Sequence, residues 1–383
     1  MRQSTSIFGR SPSFQLCARA WGLILMLGLI AAPLCQAQPA PQRLIAHEWG
    51  VITALADEQG QLLTWQPLEG APPVPSFIQR YEMPQSPGTV RIDIPAIFFK
   101  VDQQTAVTMN MEFLKGYFYT GYPRADYQDY TLSWPAITLL PGGNMTLITE
   151  PTASRYYQLR NTQGAQVRVD HAGHKQYERF IHLRGAGRLE LPLRVKVDHE
   201  EFHIEPASSL ASQIGQVIAI ENRKGKISFS MVDLQEGKAR FARSQTAMNI
   251  DLATARLRRL LNQQGLYPDE ASAAVAGISP EWFEPGTRLI YLLPRQMVDE
   301  TFKCQLTPAP SNHLRLYAVR VELITPQLRQ DLLDRLTMVN LESPTSCEAL
   351  LGSATLIRPL LRHLNHDLAD EAIRIKIASL LKD

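Results

Sequence analysis

Arg43-Leu-Ile-Ala-His47-Glu48-Trp49-Gly50-Val51-Ile52-Thr53 is the stretch on which the fold turns. Taken as a strand, it puts Ile45, His47, Trp49 and Val51 on one face. Leu44, Ala46, Glu48, Gly50 and Ile52 fall on the other. Both faces are apolar apart from His47 and Glu48. A strand apolar on both faces is central in its sheet and covered on both sides. A buried His and a buried Glu need partners, because leaving either unpaired costs several kcal/mol. Two readings stand side by side: metal ligands or a general base at a cleft, or groups held by structural hydrogen bonds.

Working outward, strand signals continue to about Val232. They are Leu44–Leu55, Ala96–Val101, Ala106–Phe113, Ala136–Leu140, Gln166–Val169, Phe180–Leu183, Leu189–Val197 and Ile227–Val232, separated by Pro, Gly and Asn punctuation. Leu193, Val195 and Val197 share one face, while Phe202 and Ile204 fall in the opposite phase. That flip predicts a turn or bulge at 198–201, with His199 in it. Near residue 245 the pattern becomes helical. Leu252, Leu257, Leu260 and Leu261 have helical spacing over Asp251–Gln264, and Gly265 ends the helix. A short helix at Pro268–Val275 follows, then strands at Arg288–Leu293 and Leu314–Leu323. Thr325-Pro326 opens another helix running to about Met338. Short helices are expected near 345–351, 354–365 and 368–382, the last capped by Asp367. The fold class is therefore mainly β with a C-terminal α+β part: an antiparallel β-sandwich-like body followed by short helices. The divisions are a β-rich domain at 44–240, an α+β region packed on it at 245–340, and C-terminal helices at 341–383.

The N-terminus has the form of a secretory signal. Arg2, Arg10 and Arg19 precede an apolar run from Trp21 to Leu34, and Cys35-Gln36-Ala37 offers a cleavage site before Gln38. Residues 1–37 are read as signal and 38–43 as a leader, so the mature chain is expected in the periplasm or secreted. Its loss removes three arginines and no acidic residue, taking the formal charge from +2 to −1. Near-neutrality gives no electrostatic argument for nucleic acid. No later segment approaches the roughly 20 apolar residues of a membrane helix. Apolar content of 45% with 20% charged residues fits a globular chain. Beyond the signal only Cys304 and Cys347 remain, and an oxidising compartment predicts a disulfide between them. It would restrict the unfolded chain by about 4 kcal/mol.

The metal reading takes His47 and Glu48 with Glu178 and His182 around a divalent ion; Glu178 and His182 flank the apolar Phe180-Ile181. His171 and His174 look like a solvated turn. Arg184-Gly185-Ala186-Gly187 is followed by another strand, which excludes a dinucleotide loop. No P-loop, nucleophile elbow, EF-hand loop or His-Glu-x-x-His helix occurs. A second reading places a small ligand near Glu284, Arg288 and Arg295. A third uses Tyr117, Tyr119, Tyr122, Tyr127 and Tyr130 in the loop-like stretch 116–130 to bind carbohydrate or peptide, with Tyr119 and Tyr122 foremost.

Several segments together resemble a family of exported bacterial proteins whose mature region begins His-Glu-Trp-Gly-Thr-Phe-Thr. They are His47–Thr53, Pro95–Phe99, Trp134 with Leu140-Pro-Gly142, Glu178–Gly185, and Trp282–Arg288 with Tyr291–Arg295. The resemblance implies that residues 44–340 form one integrated unit. It carries no activity over. This chain departs from the pattern at Asp93-Ile94-Pro95 and Thr120-Gly121-Tyr122-Pro123. With no catalytic spacing present, the leading expectation is a binding or envelope-associated protein whose partner is an envelope protein or a small ligand.

Overall fold

A computed structural model describes residues 43–382 apart from 83–85, 129, 153 and 245. The expected signal at 1–37 and residues 38–42 of the leader lie outside the described residues. In chain order the strands are β1 Leu44–Ala56, β2 Gln79–Arg80, β3 Val90–Val101, β4 Thr105–Glu112, β5 Gly116–Tyr122 and β6 Asp126–Gln128. Next come β7 Thr131–Leu140, β8 Gln166–His171, β9 His174–Glu178, β10 Ile181–Gly187, β11 Leu193–Val197 and β12 Glu201–Pro206. The set ends with β13 Gln216–Arg223, β14 Lys226–Asp233, β15 Ala239–Ala242, β16 Gly286–Leu292, β17 Lys303–Thr307 and β18 Asn312–Leu323. The helices are α1 Ile250–Gln263, α2 Pro268–Trp282, α3 Arg295–Thr301, α4 Pro326–Met338, α5 Pro344–Leu351, α6 Ile357–Asp367 and α7 Glu371–Leu380.

β1 is buried along its whole length, as its two apolar faces require. It occupies the middle of a nine-stranded sheet ordered β14-β13-β16-β18-β1-β3-β10-β5-β2. β3 pairs with it antiparallel and β18 parallel, Ile45 lying opposite Asn312 and Ala56 opposite Leu323. Among the described residues this is the one parallel pair in an otherwise antiparallel sheet. β16 and β18 come from beyond residue 245, so that stretch builds the sheet's centre together with β1.

One face of the sheet is the inner face of a sandwich. There Ile92, Phe99, Leu183 and Val319 meet Met109, Trp134 and Val167 of a second sheet, β17-β4-β7-β8-β9, and Phe202 of the small sheet β11-β12-β15. The opposite face lies under α1 and α2, where Phe98, Phe180 and Ile290 meet Leu257, Ile278 and Trp282. The helices α4–α7 close a third cluster on Leu55, Trp65 and Ile324. Each large apolar side chain removed from water contributes roughly 1.5–3 kcal/mol.

Local signals explain the helix ends. The Asn249 side chain accepts from the Asp251 N–H, and Gly265 adopts φ 105° after α1. α2 runs to Trp282, well past the expected Val275, and carries Pro280 in its last turn. The Asp370 side chain caps α7 by accepting from Ala372 and Ile373, in place of the expected Asp367. The 193–204 phase flip is the β11–β12 hairpin, with His199 in its turn.

Two expectations are corrected. The Tyr-rich stretch is not an exposed loop, because 116–122 is β5, paired with β10 and β2. Its glycines serve strand packing: a Cβ at Gly121 would sit 2.8 Å from the Tyr81 hydroxyl. Cys304 and Cys347 form no disulfide. Cys304 is on β17 opposite Met111, against the sandwich core, whereas Cys347 is on α5 in the C-terminal helical cluster. The two thiols belong to different packing units.

Candidate functional site

Neighbours in a strand face opposite ways, and β1 uses this to separate His47 from Glu48. His47 faces the helices. Its Nδ1 lies 2.7 Å from Glu270 Oε2, and its ring stacks on Tyr267 at 4.8 Å. The start of α2 places both partners, since the Glu270 carboxylate also accepts from the Tyr267 N–H at 3.0 Å. Nε2 of His47 is buried without a partner.

Glu48 faces the sandwich. Arg315 donates to its two oxygens at 2.6 and 3.0 Å, and the Tyr317 hydroxyl donates to Oε1. Arg315 also donates to Asp299 Oδ1 at 2.7 Å and to the Phe302 carbonyl at 2.8 Å. Burial is the largest influence on the Glu48 carboxyl and raises its pKa. The Arg315 charge and the hydrogen-bonding neighbours overcome that and hold it down at about 2.

The four residues expected around one metal are not brought together. Glu48 is on the sandwich face, and β3 separates His47 from His182 on the other. Two strand spacings amount to about 10 Å, too far for a shared ion. Glu178 accepts from the Tyr156 hydroxyl and Arg160 Nη2, each at 2.7 Å, and from the Arg179 N–H. His182 is 2% exposed with neither ring nitrogen partnered. Burial, then Arg184, pushes its pKa well below the usual imidazole range. It is a neutral ring on the wall of a small enclosed cavity shared with Pro72, Pro73, Tyr156 and Arg184.

A row of buried charge crosses the helix face. Arg91 donates to Asp93 at 2.7 Å, and the Thr53 hydroxyl donates to the same oxygen. Arg320 bridges Glu322 and Glu281, and Arg155 donates to Glu281. Arg288 donates to Glu322 and to the carbonyls of Trp282, Glu284 and Pro285. Arg288, expected beside a cleft, is instead fully buried and ties the end of α2 to the sheet. Burial and Asp93 raise the Glu281 pKa. Asp93 is lowered: burial opposes this, and Arg91 and Arg184 prevail.

Arg295 does reach an opening, held by Asp299 at 2.7 Å and by the His313 carbonyl. Tyr119 and Tyr122 are not exposed platforms; burial pushes both hydroxyls up to about 12. The opening near Arg295 is a groove of about 580 Å³ between α1 and the strands β13, β16 and β18. Ile218, Leu257, Leu260, Leu261, Leu292 and Leu316 form its walls together with Trp282. Gln216, Gln263, Gln264, Asp233 and Arg295 lie around it. Leu260 and Leu261, half-buried against the helix-side core, also line this groove. Two further groups of donors converge. Glu48, Cys304 and His313 each offer an atom within 4.8 Å of the others. Asp198, Glu201 and His203 do so at the exposed β11–β12 turn, where Asp198 already caps the Glu200 and Glu201 N–H groups.

No protein-family model matches the chain, and no curated protein matches it.

Proposed function

We propose that the mature chain is an extracytoplasmic binding protein that takes a small, mostly apolar ligand in the groove beside α1. The observation that carries this is the groove itself: a concave volume of about 580 Å³ with aliphatic walls and a few polar groups at its margin. Ligand sites are commonly of this size and lining, roughly 300–1,000 Å³. The ligand is an apolar body with a hydrogen-bonding head, because the amides of Gln263 and Gln264 and the side chains of Asp233 and Arg295 lie around the apolar floor. The secretory signal and the resemblance to exported proteins support the location. The buried tyrosines and the paired carboxylates turn the reading away from sugar platforms and from acid–base catalysis.

Trp282 lies in the groove wall, so its fluorescence reports occupancy. Titration with an anilinonaphthalene probe should saturate and should shift the Trp emission. Leu260→Trp should fill the groove and abolish the change. Leu252→Trp, at a half-exposed position on α1 outside the groove lining, should leave it intact. If both variants bind the probe like wild type, the groove is not the site. Mass analysis of protein from a bacterial periplasm tests the location; the expected N-terminus is Gln38.

A further inference from the structure

We propose that Glu48, Cys304 and His313 form a site for one zinc-class divalent ion, beside Arg315, which also borders the apolar groove. The three donors come from three strands, β1, β17 and β18. One atom from each lies within 4.8 Å of the other two. Tetrahedral ligands at about 2.0–2.3 Å from an ion stand roughly 3.5 Å apart, so small side-chain rotations suffice.

His313 Nε2 carries the argument furthest. It is buried with no hydrogen-bond partner, and it points toward Glu48 Oε2 at 3.7 Å, beyond hydrogen-bond reach. An unsatisfied buried nitrogen is destabilising, and an ion would satisfy it. Cys304 is a free thiol beside it, not committed to a disulfide. A sulfur and an imidazole nitrogen with one carboxylate oxygen select zinc-like ions over magnesium or calcium, which take oxygen sets.

The surroundings resemble the outer shell of a metal site. Arg315 Nη2 and the Tyr317 hydroxyl hold Glu48 Oε1, which fixes the carboxylate and leaves Oε2 to be shared between Arg315 Nε and the ion. Asp299, paired with Arg315, offsets the nearby positive charge. The His313 side chain is 18% exposed and gives the entry path. As the sulfur–metal bond forms, the Cys304 thiol gives its proton to solvent. Three protein ligands leave a fourth position for water or an incoming donor.

The test uses the tag-free chain, stripped with chelator and reloaded with Zn²⁺ or Co²⁺. Elemental analysis should find one equivalent, and the Co²⁺ form should show thiolate-to-cobalt charge-transfer absorption. Cys304→Ser should lose that absorption, and His313→Gln should weaken binding more than the roughly tenfold expected of the outer-shell variant Tyr317→Phe. Cys347→Ser and His47→Gln should bind as wild type. Alkylation needs no variant: Zn²⁺ should slow modification of Cys304 and leave Cys347 unchanged, read by peptide mass. Substoichiometric metal after reloading, or equal alkylation with and without Zn²⁺, overturns the site.

Discussion

The two faces of the nine-stranded sheet are made by alternate residues of the same strands, and they are filled differently. On the sandwich side β3 and β18 present Val90, Ile92, Val319 and Val321 to an apolar core. One residue along, they present Arg91, Asp93, Arg320 and Glu322 to the helix side, equally buried. Val-Arg-Ile-Asp and Val-Arg-Val-Glu have the alternation of a sheet with one face in water. Here α2 and the loops beside it cover the charged face. Alternation therefore tells which residues share a face; it does not tell which face is wet. The charged face gains geometry, since Arg288 joins the end of α2 to β18. It gains little net stability, because desolvating paired ions offsets most of their attraction.

Single changes should separate the faces. Arg288→Met leaves Glu322 with Arg320 alone, strands the carbonyls of Glu281, Trp282, Glu284 and Pro285, and should cost roughly 3–5 kcal/mol in urea unfolding. A loss below about 1 kcal/mol would mean that the charged row is dispensable. The pH dependence should come next. Glu48 is held at about 2, so its contribution, roughly 3 kcal/mol, is in place above the ordinary Glu pKa and is lost as pH falls through about 2. Glu281 is raised, so its effect has the opposite sign: stability is complete at low pH and is lost as pH rises through its folded value. Urea midpoints for wild type, Glu48→Gln and Glu281→Gln across this range should differ in slope in opposite senses. Parallel curves would remove the distinction. On the apolar face Ile92→Val should cost about 1 kcal/mol with little pH dependence. The smallest expected effect is that of reductant, which should leave the melting temperature unchanged because Cys304 and Cys347 sit apart.

What the sequence made legible was local. β1 announced itself through apolar residues on both faces, α4 through Thr325-Pro326, and the β11–β12 hairpin through a phase flip. The site was less legible because its partners are remote. Glu48 meets Arg315 across 267 residues and His47 meets Glu270 across 223. Neither arginine nor carboxylate carries a local mark of its partner. The Tyr-rich stretch 116–130 reads as loop-like, yet tyrosine favours strands, and within β5 Gly116 and Gly121 each admit a close neighbour. The cysteine pair failed for the same reason as the metal quartet: residue type suggests chemistry, and only packing decides proximity.

The parallel pairing of β1 with β18 sets a timetable for the molecule. A ribosome releases the first of these strands long before the second, and parallel partners so far apart in sequence zip late. Until residues 312–323 emerge, β1 has β3 on one side and an open, apolar edge on the other. Such an edge recruits whatever strand arrives first. A chain held at that stage would thus carry its own centre unguarded, and only the arrival of β18 closes it.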